Sequence, residues 1–182
     1  MPGTYVARIV LNGRTFEQRF VVKPDPDATE TLAQMQRSYD AFAKINDLYS
    51  SVDTMLNNLD TVGKALAATH AAPGSAAEAV LARAARERSA VQAKLTANFT
   101  NGEDSVSRAG SLRENLDFAL TSLDSFPVQG IVTPAAAEFY ARLDAEYRDA
   151  RTAYDAYATA IPQYDAALKA AGLQPLPTIP RL

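Results

Sequence analysis

The apolar positions of this chain change their period once, near residue 26. Before that point they alternate every second residue; after it they recur every third or fourth. The two early runs, Thr4–Leu11 and Thr15–Lys23, flank Asn12-Gly13. That pair suits a type I′ turn, which needs positive φ at both central residues, so the spacing predicts a β-hairpin. A two-residue loop sets Leu11 opposite Arg14, Ile9 opposite Phe16, Ala7 opposite Gln18 and Tyr5 opposite Phe20. Tyr5, Ala7, Ile9, Phe16, Phe20 and Val22 then share one apolar face. The other face mixes Val6, Val10 and Val21 with Arg8, Glu17 and Arg19, and Arg8 stands opposite Glu17. Lys23-Pro24-Asp25-Pro26-Asp27 ends the second strand, because each proline lacks an N–H and restrains the residue before it. Residues 1–26 therefore form one unit, patterned like the edge of a β-sandwich-like domain. Two strands alone are marginal in water, so the hairpin demands either more sheet or cover from its own helices.

Residues 27–182 read as a helical bundle with a proline-rich tail. The first helix is expected from Asp27, which forms a capping-box pair with Glu30. Its stripe is Leu32, Met35, Tyr39, Phe42, Ile45, Tyr49, Val52, Leu56, Leu59, Val62 and Leu66. A stripe sustained this long predicts a helix of roughly 40 residues, or about 60 Å, stopping before Ala72-Pro73-Gly74. A second helix starts at Ser75, boxed with Glu78, and runs to about Phe99 before Asn101-Gly102. A third begins between Ser105 and Ser111, with Ser111 and Glu114 as a further box, and ends at Phe126-Pro127. The fourth opens on Thr133 as N-cap with Pro134 at the first helical position, where a missing N–H costs nothing. Its seam of Tyr140, Leu143, Tyr147, Ala150, Tyr154, Tyr157, Ile161, Tyr164 and Leu168 steps by three and four like a coiled coil. Pro162 is expected to kink it near Ala158. Gly172 ends it, and Pro175, Pro177 and Pro180 set an extended tail. The fold expected is mainly α: an antiparallel four-helix up-down bundle preceded by a single β-hairpin.

Composition narrows the function. The net charge is −3, so no broad basic field exists to hold a phosphate backbone, and nucleic acid is not an expected partner. Cysteine is absent, which removes disulfides, thiolate metal sites and a cysteine nucleophile. No apolar run approaches the ~20 residues that span a bilayer. Met1-Pro2-Gly3-Thr4-Tyr5 has neither the basic nor the apolar region of a signal peptide.

Candidate chemistry is sparse, and no catalytic motif emerges. Five tyrosines on the last helix read either as core, with hydroxyls at the bundle rim, or as an aromatic groove for a sugar or peptide. His70 is the only histidine and has no Glu-x-x-His partner for a bridged di-iron site. Asn101, Glu103 and Asp104 lack the spacing of a calcium loop. The carboxylates Asp144, Glu146, Asp149 and Asp155 interleave with Arg142, Arg148 and Arg151, as on a solvated helix face. Arg83, Arg86 and Arg88 make a small basic cluster. No cofactor, metal or catalytic residue is expected. The expected interaction surface is Tyr5, Ile9, Phe16 and Phe20.

Pro2-Gly3-Thr4-Tyr5, Asn12-Gly13 and the run Phe20-Val21-Val22-Lys23-Pro24-Asp25-Pro26 carry a resemblance. They are similar to the strand pair closing the C-terminal β-domain of bacterial sortilin-like, BNR-repeat propeller proteins, often labelled glycosyl-hydrolase-like. Ser111–Leu116, Thr133-Pro134 and Ile161–Leu168 with Ala171-Gly172-Leu173 resemble the helical tail of that family. The resemblance implies a non-catalytic structural or interaction module from the C-terminal part of a larger propeller protein, working by packing or oligomerisation. Its expected partner is the propeller or β-domain of that parent, or a second copy of the chain. The other reading it implies is a fragment or divergent form of a glycosyl hydrolase-like enzyme. The propeller that would carry family chemistry is not in this sequence, so no catalytic residue is carried over. The family also implies export to the periplasm.

Overall fold

The computed structural model describes residues 1–27, 29–96, 111–124 and 132–182. It shows the mainly helical molecule the periodicity predicts. Strands β1 (Gly3–Leu11) and β2 (Arg14–Val22) precede helices α1 (Leu32–Ala68), α2 (Ala76–Leu95), α3 (Leu112–Asp124) and α4 (Pro134–Ala170). The hairpin has the expected register, with Leu11 opposite Arg14, Ile9 opposite Phe16 and Tyr5 opposite Phe20. Asn12 and Gly13 take φ of 51° and 74°, as a type I′ turn requires. Every strand residue is exposed, and no described helix packs on either face.

The start of α1 differs from expectation. The helix begins after Thr31, not at Asp27: the Asp27 N–H donates to Asp25 Oδ1 at 2.9 Å, folding that segment into a local turn. The capping box forms instead between Thr31 and Gln34. Thr31 Oγ1 accepts from the Gln34 N–H at 3.2 Å, and Gln34 Oε1 accepts from the Thr31 N–H at 2.8 Å. At α2, Ser75 caps the Glu78 N–H as expected, while the Glu78 carboxylate reaches the Gly74 N–H. Ser111 does not close the expected box on α3; its hydroxyl lies 3.5 Å from the Leu95 carbonyl instead. The Thr133 cap and the N-terminal Pro134 of α4 are as read. Helical structure continues through Pro162 to Ala170. The expected stretch around Phe99–Asp104 and the Phe126-Pro127 end of α3 lie outside the described residues.

Cross-links between helices give their directions. Lys44 meets Asp144 and Asn58 meets Tyr154, so α1 and α4 run parallel. Arg88 reaches the Leu59 carbonyl, while Glu87 meets Tyr164 and Lys94 meets Asp149; α2 is therefore antiparallel to both. Arg113 pairs with Asp53, and Phe118 sits against Phe139, so α3 is antiparallel to both as well. The directions read up, down, down, up. Length explains this order. At about 1.5 Å per residue α1 and α4 each span roughly 55 Å, whereas α2 spans roughly 30 Å and α3 roughly 20 Å. Only α2 and α3 placed end to end, with Ser111 beside Leu95, cover the long pair.

The core arises from that packing. Ile45, Val52, Met55, Leu59 and Val62 of α1 meet Ala84, Val91 and Leu95 of α2, Leu112 and Leu116 of α3, and the α4 seam from Leu143 to Leu168. Leu32 and Tyr39 belong to the α1 stripe but stay exposed. Residues 173–182 turn back at Gly172 and bring Leu176 and Ile179 into the same core.

Candidate functional site

The four residues expected to form an interaction surface do come together. Tyr5 stacks on Phe20 with ring centroids 5.8 Å apart, and Ile9 faces Phe16 nearer the turn, with the Ala7–Gln18 pair between them. Ile9 is 64% exposed and Phe16 55%, high values for side chains of this size. Leu11 and Val22 extend the same face, while the reverse face mixes the exposed Val6, Val10 and Val21 with Arg8, Glu17 and Arg19. Its main polar feature is the Arg8–Glu17 pair at 2.7 Å, directly cross-strand and fully wet, which is worth little energetically. A two-stranded sheet also leaves an unpaired backbone edge on each strand, a template for further strands.

The remaining candidates are absorbed by packing. Tyr147, Tyr154, Tyr157 and Tyr164 are buried and Tyr140 is half-buried, so the tyrosine row is core and not an open groove. The Tyr154 hydroxyl accepts from Asn58 Nδ2 at 2.7 Å and donates to the Pro180 carbonyl at 3.0 Å. The Tyr164 hydroxyl donates to the Glu87 carboxylate, which also takes Arg83 Nε at 2.7 Å. That phenol donor, with Arg83 behind it, holds the Glu87 carboxyl below its ordinary value. Asp144 sits between Lys44 and Arg148 and is lowered chiefly by the Lys44 hydrogen bond. Both shifts run opposite to the direction that a general acid needs. Asp149 pairs with Lys94, Glu146 with Arg142 and Asp155 with Arg151, the salt-bridged surface the interleaving predicts.

The basic cluster on α2 dissolves in the same way. Arg83 is tied to Glu87, and Arg88 turns inward so that its Nε donates to the Leu59 carbonyl at 2.6 Å. Gly63 makes that approach possible: a Cβ there would stand 2.7 Å from the Arg88 guanidinium. His70 is exposed in the loop after α1. Among the described residues no group of three or more His, Asp or Glu could hold a metal ion, and no helix is long and apolar enough to cross a membrane. Asn101, Glu103 and Asp104 lie outside the described residues. A shallow recess between α2 and α4 is walled by Ala90, Val91, Ala153 and Ala156 together with Glu87 and Tyr157, and Glu87 is already engaged by Tyr164.

Sequence reading missed the packing of residues 173–182. The available signal was the spacing of Leu173, Leu176, Ile179 and Leu182 between prolines. No family model, curated protein or solved structure matches the chain.

Proposed function

We propose that this chain is a non-catalytic interaction module: a rigid helical bundle that presents a β-hairpin for docking onto a β-domain. The observation carrying this reading is that every residue of both strands is exposed, with Tyr5, Ile9, Phe16 and Phe20 on one face, while the bundle closes its core without them. A ribbon with one apolar face, one mixed face and free edges is suited to β-augmentation, in which backbone hydrogen bonds supply affinity and alternate side chains supply fit. The resemblance to the C-terminal part of bacterial sortilin-like, BNR-repeat propeller proteins supports the β-domain of such a parent as the docking partner. In that setting the bundle works by packing, and the chemistry of the assembly resides elsewhere.

A photo-crosslinking amino acid placed at Phe16 tests this in the cells that make the protein, with the exposed Ala145 on α4 as the control position. The expected adduct maps by mass spectrometry to a β-strand of a β-domain. Adducts that map to helices of the same bundle, or that are no more abundant than at position 145, would overturn the reading.

A further inference from the structure

Residues 173–182 carry neither helix nor strand, yet they complete the core. Leu176 and Ile179 are 3% and 8% exposed, and Leu173 and Leu182 pack against the same cluster. These four side chains recur at every third residue. A polyproline II helix has three residues per turn, so this spacing lines them along one side of an extended strap. Pro175, Pro177 and Pro180 stand between them and favour that conformation by fixing φ. The reach agrees. At about 3.1 Å per residue the strap from Leu173 to Pro180 covers roughly 22 Å. That is close to the roughly 25 Å of α4 between Tyr154 and Ala171 at about 1.5 Å per residue.

The strap's backbone is held by side chains of α4. The Tyr154 hydroxyl donates to the Pro180 carbonyl at 3.0 Å, and the Leu182 N–H donates to Asp155 Oδ1 at 3.0 Å. Asn58 of α1 donates to the same Tyr154 oxygen at 2.7 Å and fixes its direction. Gly172, at φ 72°, separates helix from strap: its N–H bonds to Lys169 and that of Leu173 to Leu168, which closes α4 whether or not the strap is docked. Aromatic hydroxyls on backbone carbonyls, with apolar sites for every third side chain, are how folded domains recognise proline-rich peptides. A segment already stiffened by proline loses little entropy on docking.

We infer that the seam of α4 beside Asn58 is a peptide-binding groove for extended, proline-rich segments with an apolar residue at every third position, and that residues 173–182 are its occupant in cis. This rests on the strap alone and is independent of the hairpin's role. Tethering gives the strap an effective concentration on the order of millimolar, so a free peptide competes only when the strap is disabled.

The test uses the full chain carrying Leu176→Asp and Ile179→Asp, with a fluorescent synthetic peptide of residues 173–182 as probe. The doubly substituted chain is expected to keep its helical circular dichroism and bind the peptide saturably, roughly a hundredfold more tightly than the unaltered chain does. A peptide bearing the same two substitutions should not bind, and Tyr154→Phe added to the chain should weaken binding several-fold. Retained helicity without peptide binding would overturn the inference. So would cooperative loss of helix, since the strap would then be an inseparable part of the core. Hydrogen exchange on the unaltered chain adds an independent readout: the Leu182 amide should exchange by local opening, and exchange only on global unfolding would also overturn it.

Discussion

Tyr157 is one of three described residues, with Ser38 and Asp165, that hold a buried polar side-chain atom without a hydrogen-bond partner. It is 3% exposed, and its hydroxyl has no hydrogen-bond partner among the described residues, whereas Tyr154 and Tyr164 both have one. A buried unpaired hydroxyl costs about 1–3 kcal/mol, so Tyr157→Phe should stabilise the protein by about 1 kcal/mol in urea denaturation at neutral pH. Burial also pushes the Tyr157 phenol up to about 12. The folded state thus holds this proton more tightly than the unfolded state, where tyrosine titrates near ~10. The Tyr157 contribution to stability is therefore level below about pH 10 and falls as pH rises towards 12; Tyr157→Phe should flatten that fall. Some slope should remain, because burial and the bond to Glu87 raise Tyr164 as well. Gly63 offers a second test. Helical Gly→Ala commonly gains about 0.5–1 kcal/mol, but here the added Cβ collides with Arg88 and endangers its bond to Leu59. Gly63→Ala should gain nothing in the unaltered chain and recover about that amount in an Arg88→Ala background, a coupling that a double-mutant cycle measures. The tyrosine seam was legible from its steps of three and four. Which hydroxyl lacks a partner was not, because that depends on what each neighbouring helix presents at the same level.

At the scale of elements, legibility tracked how many local signals agreed. In the hairpin, turn chemistry and strand alternation specify the same register, and the observed pairing obeys both. At the start of α1 two local solutions competed, since Asp27 with Glu30 and Thr31 with Gln34 both have capping-box spacing. Asp25 decided the outcome by accepting the Asp27 N–H into a turn. At α3, Ser111 has the composition of a cap, but the end of α2 lies against it and its hydroxyl turns there. Local capping patterns are read from a few residues; the arrival of another helix end is a tertiary event that no such window contains. The strap illustrates the same limit. Its period of three is plain in the sequence, but it acquires meaning only once a wall exists for it to face.

For the whole molecule, the hairpin and the bundle share a chain and little else. No strand side chain is buried, and no described helix packs against the strands. A variant lacking residues 1–26 should therefore show the thermal midpoint of the intact chain by calorimetry. A fall of several degrees would mean that the hairpin supports the helices after all. The helix count and the hairpin were expected from periodicity, but the directions of α3 and α4, which depart from up-down alternation, were not, because amphipathic stripes carry no sign along the helix axis. Length settled it: two short helices in line match the span of each long one.

The junction between those two helices has a consequence for what the chain can carry. Leu95 and Ser111 are neighbours although 16 residues apart in sequence, so the end of α2 and the start of α3 meet at one point. Closing a flexible loop of n residues costs in proportion to ln n, and each doubling adds only about 0.6 kcal/mol. Sequence inserted between two helix ends that already meet should therefore cost little, because the ends of α2 and α3 stay where their neighbours hold them.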